Sequence, residues 1–358
     1  MATRLKKLQT LLKQRKLDGI IVSHMPDIRY LCGFSGSAGT LFVSRKKAWF
    51  LTDGRYDTQA AEELPENVEL IIDRAHISRL KSEKIIGKGM TVGFQDQYVT
   101  VAMHEGMKRL LKKKVKLEPV GSLVRTVTAI KTEEDVANVK KAANIAAKVY
   151  REILKIVKPG ISERDVATEI SYLGRKFGSE GDAFDIIVAS GYRSALPHGR
   201  ASAKKIKSGE LVTLDFGCIW NGFNSDMTRT FAVGDPGQEA RHVYNVVYNA
   251  EREGVKQARA GMEARELDAV CRTIIDDAGY GDAFTHSTGH GLGIEVHEFP
   301  GVAKGSPESV TLQPGMIVTI EPGIYLPKKF GVRIEDDVLI EKDGCRELTS
   351  ASRKLTVL

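Results

Sequence analysis

Up to about Val120, short runs of β-branched and aromatic residues, GIIVS, TLFVS, AWFLT, VELII and MTVGF, alternate with longer stretches of helical pattern. Apolar runs of this length bounded by turn residues predict strands, and their alternation with helices predicts a compact α/β domain. Leu5, Leu8, Leu11 and Leu12 recur at helical spacing and lead through Asp18-Gly19 into the first run, which predicts an integral first helix rather than a detachable leader. The segment GSLVRTVTAIKTEED reads as a join, dividing the chain into domains at 1–125 and 126–358. Beyond it, Thr132 and Asp135 spell a capping box, and Val136, Val139, Ala143, Ala146, Val149 and Ile153 fall on one face of a long helix that stops at Pro159-Gly160. Ser162 and Asp165 cap a second helix. From Ala183 onward strands and glycine-rich turns dominate, interrupted by helical patterns around 238 to 278. The expected second domain is α+β, with helices on one side of a curved, mainly antiparallel sheet.

This second pattern is written twice. IKSGELVTLDFG at 206–217 and LQPGMIVTIEPG at 312–323 share their glycines, their apolar strand and a closing carboxylate, Asp215 in one and Glu321 in the other. GDAF at 181–184 returns at 281–284, and PGISERDV at 159 returns as AGMEAREL at 260. A further acid follows each strand, Asp226 in NSDMTRT and Glu335 in VRIEDD. A duplicated half folded about a pseudo-twofold axis brings two matched pairs of acids to one floor.

Bulk properties narrow the rest. A chain of 358 residues suggests about two domains. No run reaches the ~18 to 20 apolar residues of a membrane span, so no membrane partner and a cytoplasmic location are expected. Cys32, Cys218, Cys271 and Cys345 lie far apart with no C-x-x-C pair, which predicts reduced thiols rather than a zinc knuckle or disulfide frame. A net charge of +7 and a pI near 9.0 permit nucleic acid as a partner. Its densest basic run, KRLLKKKVK at 108–116, has no interleaved aromatics and reads as a solvated helix face, so no nucleic-acid partner is expected.

Taken singly, an acid at a strand end is ordinarily solvated or caps a turn. Four at repeat-equivalent positions within strands as apolar as LVTLD and MIVTIE are different, because unpaired buried carboxylates are costly and call for cations. Histidines supply the asymmetry: His286, His290 and His297 in THSTGHGLGIEVHEFP, and His198 in SALPHGR. HSTGH and HEFPG do not fit the helical zinc pattern H-E-x-x-H. One histidine among four carboxylates describes a hard, oxygen-rich site for two divalent ions about 4 Å apart, suited to manganese or cobalt with zinc a third option. Hydrolysis is the natural use of such a pair.

With LDFG, NSDMTRT, GHGLG, EPG and RIED in hand, the chain resembles the pita-bread metallopeptidases, and within them the Xaa-Pro peptidases, prolidase and aminopeptidase P. The resemblance implies Asp215, Asp226, His290, Glu321 and Glu335 as metal ligands. It also implies His198 and His297 as substrate-side histidines, Glu321 as proton acceptor, and Arg333 as the residue orienting an acid ligand. On its own His198, after Pro197, would read as a surface histidine and Arg333 as a strand-face cation; His286 receives no role. The stretch YLCGFSGSAGTLFVSRKKAWFLTDGRYDTQA looks like the N-terminal domain of creatinase, prolidase and aminopeptidase P. The resemblance implies short Xaa-Pro peptides as substrates, a dipeptidase before an aminopeptidase on longer chains, and a homodimer. A non-catalytic binding protein on this fold would be expected to have lost ligands, and here all five are kept.

Overall fold

The computed structural model describes residues 2 to 358, the side chains of Ala2 and Lys113 apart. It forms two compact units, one closing at Thr128 and one running Ala129–Leu358.

The first unit is built on strands β1 (Gly19–Val22), β2 (Thr40–Ser44), β3 (Ala48–Thr52), β4 (Val68–Ile72), β5 (Thr91–Phe94) and β6 (Lys116–Pro119), in the order β4-β3-β2-β1-β5-β6. The five apolar runs are β1 to β5. The sheet is mixed: β1-β2 and β2-β3 are antiparallel, while β1-β5, β3-β4 and β5-β6 are parallel. The first helix, Ala2–Gln14, buries Leu5, Leu8 and Leu12. The basic run at 108–116 departs from expectation. It spans the end of the helix Val101–Leu111, a 3-10 turn at Lys112–Lys114 and the first residue of β6. The helix ends because Lys112 takes a positive φ of 56°, and KLEP then pairs with β5 although it carries almost none of the apolar signal of a strand.

The second unit opens with the helices Glu133–Ile156 and Glu163–Lys176, both begun by the expected capping boxes, Thr132 with Asp135 and Ser162 with Asp165. Every residue of the expected apolar face, from Val136 to Ile153, is buried. Strands β7 (Ile187–Ser190), β8 (Glu210–Asp215), β9 (Ile219–Trp220), β10 (Phe223–Asn224) and β11 (Thr228–Val233) follow. The helices Gly237–Gln257 and Ala264–Asp277 come next. Then come β12 (Gly289–Gly291), β13 (Glu298–Val302), β14 (Ile317–Ile320), β15 (Gly323–Leu326), β16 (Phe330–Arg333), β17 (Asp336–Ile340) and β18 (Cys345–Glu347). All strand pairs of this unit are antiparallel among the described residues.

The duplication is visible in the topology. The row β11-β8-β7 has its counterpart in β17-β14-β12, each backed by two helices. Gly209 and Gly315 open the equivalent strands with φ of +84° and +89°, a left-handed turn that glycine adopts without a Cβ penalty. Smaller details repeat too: Ser162 bridges Lys205, and Glu263 bridges Thr311 in the second half. Two apolar cores result, one under each half. Val212, Leu214 and Phe231 meet Val149 and Ile170 in the first; Val318 and Ile320 meet Val247 and Leu267 in the second.

A candidate dinuclear metal centre

Strand register carries the four acids to the seam. Asp215 is the last residue of β8, and Glu321 follows the last residue of β14. Asp226 and Glu335 lie just ahead of β11 and β17 rather than within them, because the paired strands begin at Thr228 and Asp336. Each acid is therefore held by the end of a ladder: Thr228 pairs with Asp215 and Ile320 with Asp336. The two halves are tied directly, since the Glu335 amide donates to the Thr228 carbonyl at 3.1 Å and the Asp226 amide to Asp337 Oδ2 at 3.1 Å. Asp215, Asp226, His290, Glu321 and Glu335 line one cleft of about 680 Å³ with His198, His286, His297 and Arg333. All eight residues expected to form the site are thus brought together.

The electrostatics of this floor are severe. Asp226, Glu321 and Glu335 are each pushed toward the protonated form, first by burial and then by a neighbouring acid, Glu335 for Asp226 and Glu321 and Asp215 for Glu335, which reaches about 8. Among the described residues, Asp215 Oδ1, Asp226 Oδ1 and Glu335 Oε1 are buried and accept no hydrogen bond. Ligand atoms of Asp226, His290 and Glu335 fall within 4.8 Å of one another.

His290 sharpens the point. Its Nδ1 lies 3.1 Å from the Gly291 carbonyl, which can only accept, so Nδ1 carries the proton. Nε2 then presents a lone pair toward Glu321 Oε1 at 3.4 Å and Asp226 Oδ2 at 3.8 Å. Burial and His297 hold the ring's pKa down at about 4, so it stays neutral near pH 7. With these acids ionised, acceptor faces acceptor, which is unfavourable unless a proton or a metal cation sits between them. The orphaned oxygens and this lone pair fit divalent ions.

Around the floor runs a positioning network. Arg333, fully buried, donates from Nη2 to Asp215 Oδ2 at 2.6 Å, from Nε to Thr228 Oγ1 at 3.0 Å, and from Nη1 to the Tyr325 hydroxyl and the Pro197 carbonyl. The Thr228 hydroxyl in turn donates a hydrogen bond to Glu335 Oε2 at 2.6 Å. The Tyr325 hydroxyl is 2.8 Å from His286 Nε2, and His286 Nδ1 is 2.8 Å from the Ser287 carbonyl. The carbonyl again places the proton on Nδ1, so Tyr325 donates to His286, whose pKa burial and Arg333 lower to about 4. His286, Thr228 and Tyr325 were given no part by the sequence reading. Alternation would have found Thr228, two residues after Asp226. Tyr325 enters through the β15-β16 hairpin, where it faces Gly331. His198 and His297 sit exposed at the mouth, His297 with its ring 4.2 Å from that of His290.

This two-halved fold and its acidic floor define a metallohydrolase. Residues 137–342 match the metallopeptidase family M24 and residues 4–130 the creatinase/prolidase N-terminal domain; the chain belongs to that metallopeptidase family. It is similar to an uncharacterized peptidase of Bacillus subtilis, 42% identical over 99% of this chain and 100% of the relative. A Pyrococcus horikoshii Xaa-Pro dipeptidase is 36% identical, over 99% of both chains. Among solved structures, the Xaa-Pro dipeptidase from Bacillus anthracis superposes with a TM-score of 0.94 at 39% identity, covering 100% of this chain and 99% of that one. The X-Pro aminopeptidase from Thermotoga maritima gives 0.90 at 32% identity, covering 99% of each.

Proposed function

We propose that this chain is a dinuclear-metal Xaa-Pro dipeptidase, a prolidase that cuts the bond between an N-terminal residue and a following proline. The observation that carries the reading is the floor itself: four acids from two halves and one neutral histidine, with three buried carboxylate oxygens lacking partners. Asp215, Asp226, His290, Glu321 and Glu335 would hold the two ions, with manganese first for so oxygen-rich a set and cobalt or zinc behind it. When bound, the ions supply Lewis-acid chemistry and lower the pKa of water toward neutrality.

The protein's own groups do the rest. Glu321 takes up a proton during attack and returns it to the leaving amine. His297 donates a hydrogen bond to the oxyanion that develops on the scissile carbonyl, and His198 donates to the carbonyl on the proline side. Arg333 holds Asp215 in place and keeps the Thr228-Glu335 hydrogen bond aligned. The bond before proline has no N–H to recognise, so selection comes from a surface that fits the ring and the charges at either end. A homodimeric state and a cytoplasmic location complete the proposal.

A second reading, an aminopeptidase on longer Xaa-Pro chains, is favoured by the likeness of GFSGSAG and LTDGRY to aminopeptidase P. The test is hydrolysis of Ala-Pro and Ala-Pro-Pro-Ala by metal-free protein given manganese, cobalt or zinc. Restored cleavage of Ala-Pro, with the tetrapeptide much slower, is expected. Faster cleavage of the tetrapeptide selects the aminopeptidase, and no metal-dependent cleavage of either overturns the peptidase reading.

A further inference from the structure

One long cation lining the cleft, Arg200, has no part in the chemistry above. Its position follows from strand register. Arg200 bridges Ile187, Ile187 pairs with Asp215, and Asp215 pairs with Thr228, so the four form one row across neighbouring segments of the sheet. Residues directly opposite one another share a face of the sheet. Arg200, Ile187 and Asp215 accordingly all line the cleft. At ~4.8 Å per step, the Arg200 backbone stands about 10 Å from that of Asp215. An extended dipeptide spans about 7 Å from its amine to its carboxylate. With its amine over the acids, its carboxylate falls within the sweep of a guanidinium in this row, and Ile187 offers apolar surface between the two.

The cleft's other arginine is not free to serve. Arg333 is buried, and each of its three nitrogens is already committed to Asp215, Thr228, Tyr325 or Pro197. Arg200 has only a loose tie: its Nη2 is 2.5 Å from Asp185 Oδ2, with the side chains 79% and 72% exposed. An ion pair so open to water contributes little and exchanges easily for another carboxylate.

We propose that Arg200 is a specificity-determining residue that receives the terminal carboxylate of a two-residue substrate, exchanging Asp185 for it. The proposal rests on the Xaa-Pro reading. It makes the row from Asp215 to Arg200 a gauge of length by charge: a dipeptide ends in an anion at Arg200, whereas a longer peptide places a neutral amide there and leaves the guanidinium with Asp185.

The test compares Ala-Pro with its C-terminal amide, Ala-Pro-NH2, on manganese-loaded protein, Arg200→Ala and Arg200→Lys. The parent prefers the free acid. In Arg200→Ala the ratio of kcat/KM for acid over amide falls roughly 10-fold to 100-fold, the worth of charge-assisted hydrogen bonds to one carboxylate. The change lies in KM rather than kcat. Arg200→Lys, which keeps a point charge without the fork, recovers part of the preference. An acid-to-amide ratio left unchanged in Arg200→Ala overturns the assignment while leaving the peptidase reading intact. A parent protein inert on both substrates overturns both.

Discussion

Stripping the ions from this protein leaves a pH dependence of stability with an unusual sign. Glu335 has its folded pKa raised from 4.5 to about 8, by burial and by Asp215. Between those values the folded, metal-free protein keeps a proton that the unfolded chain has released, so stability falls as pH rises. His286 and His290 oppose this at lower pH. Their folded pKa near 4 means that the unfolded chain binds the extra proton up to about 6.5, and stability there rises with pH. The clean window is pH 6.5 to 8. One retained proton across about 1.5 pH units is worth about 2 kcal/mol, or roughly 4–8 °C in Tm for a unit of this size. Asp226 and Glu321, shifted in the same direction, steepen the fall. Glu251, raised to about 9 by burial and by Asp336, contributes the same sign with or without metal. The diagnostic is therefore the difference between chelated and manganese-saturated protein, melted by calorimetry at pH 6.5 and 8.0 and fixed ionic strength. Chelated protein should lose several degrees more than loaded protein. Equal slopes would refute the claim that burial and neighbouring acids hold protons on these carboxyls in the metal-free protein.

Arg333→Ala strands the Asp215 carboxylate in the interior and should cost about 3–5 kcal/mol in urea unfolding of metal-free protein; a loss below 1 kcal/mol would mean that the pair is not buried. His198→Ala and His297→Ala should each lower kcat by roughly 10²–10³ with metal content unchanged, and near-normal turnover in both would remove their assignment. Gly217→Ala puts a Cβ 1.9 Å from the Ser225 carbonyl, between the two acid-bearing segments, and should destabilise the fold by about 1–3 kcal/mol or more, measured by Tm.

The duplication made much of this molecule legible from residues alone. The paired glycines, the two capping boxes and the apolar face from Val136 to Ile153 are local signals, and each took the conformation its chemistry requires. What escaped was decided by tertiary pairing. KLEP becomes β6 only because β5 offers it an edge, and a proline-terminated, charged segment gives no strand pattern of its own. Asp226 and Glu335 were expected within strands but precede them, since the ladder begins where cross-strand partners begin. A hydroxyl in a strand looks alike whether it faces water or a buried arginine, so the parts of Thr228 and Tyr325 are set only by the folded structure. Arg200, unremarkable in SALPHGR, gains its meaning from the bridge to Ile187.

The central claim is that two copies of one ancestral module converge to hold a pair of divalent ions. Anomalous diffraction at the manganese edge, from crystals grown with excess manganese, tests it directly. Two peaks on the floor formed by Asp215, Asp226, His290, Glu321 and Glu335 are predicted. No peak there, or manganese bound only elsewhere, would contradict the account.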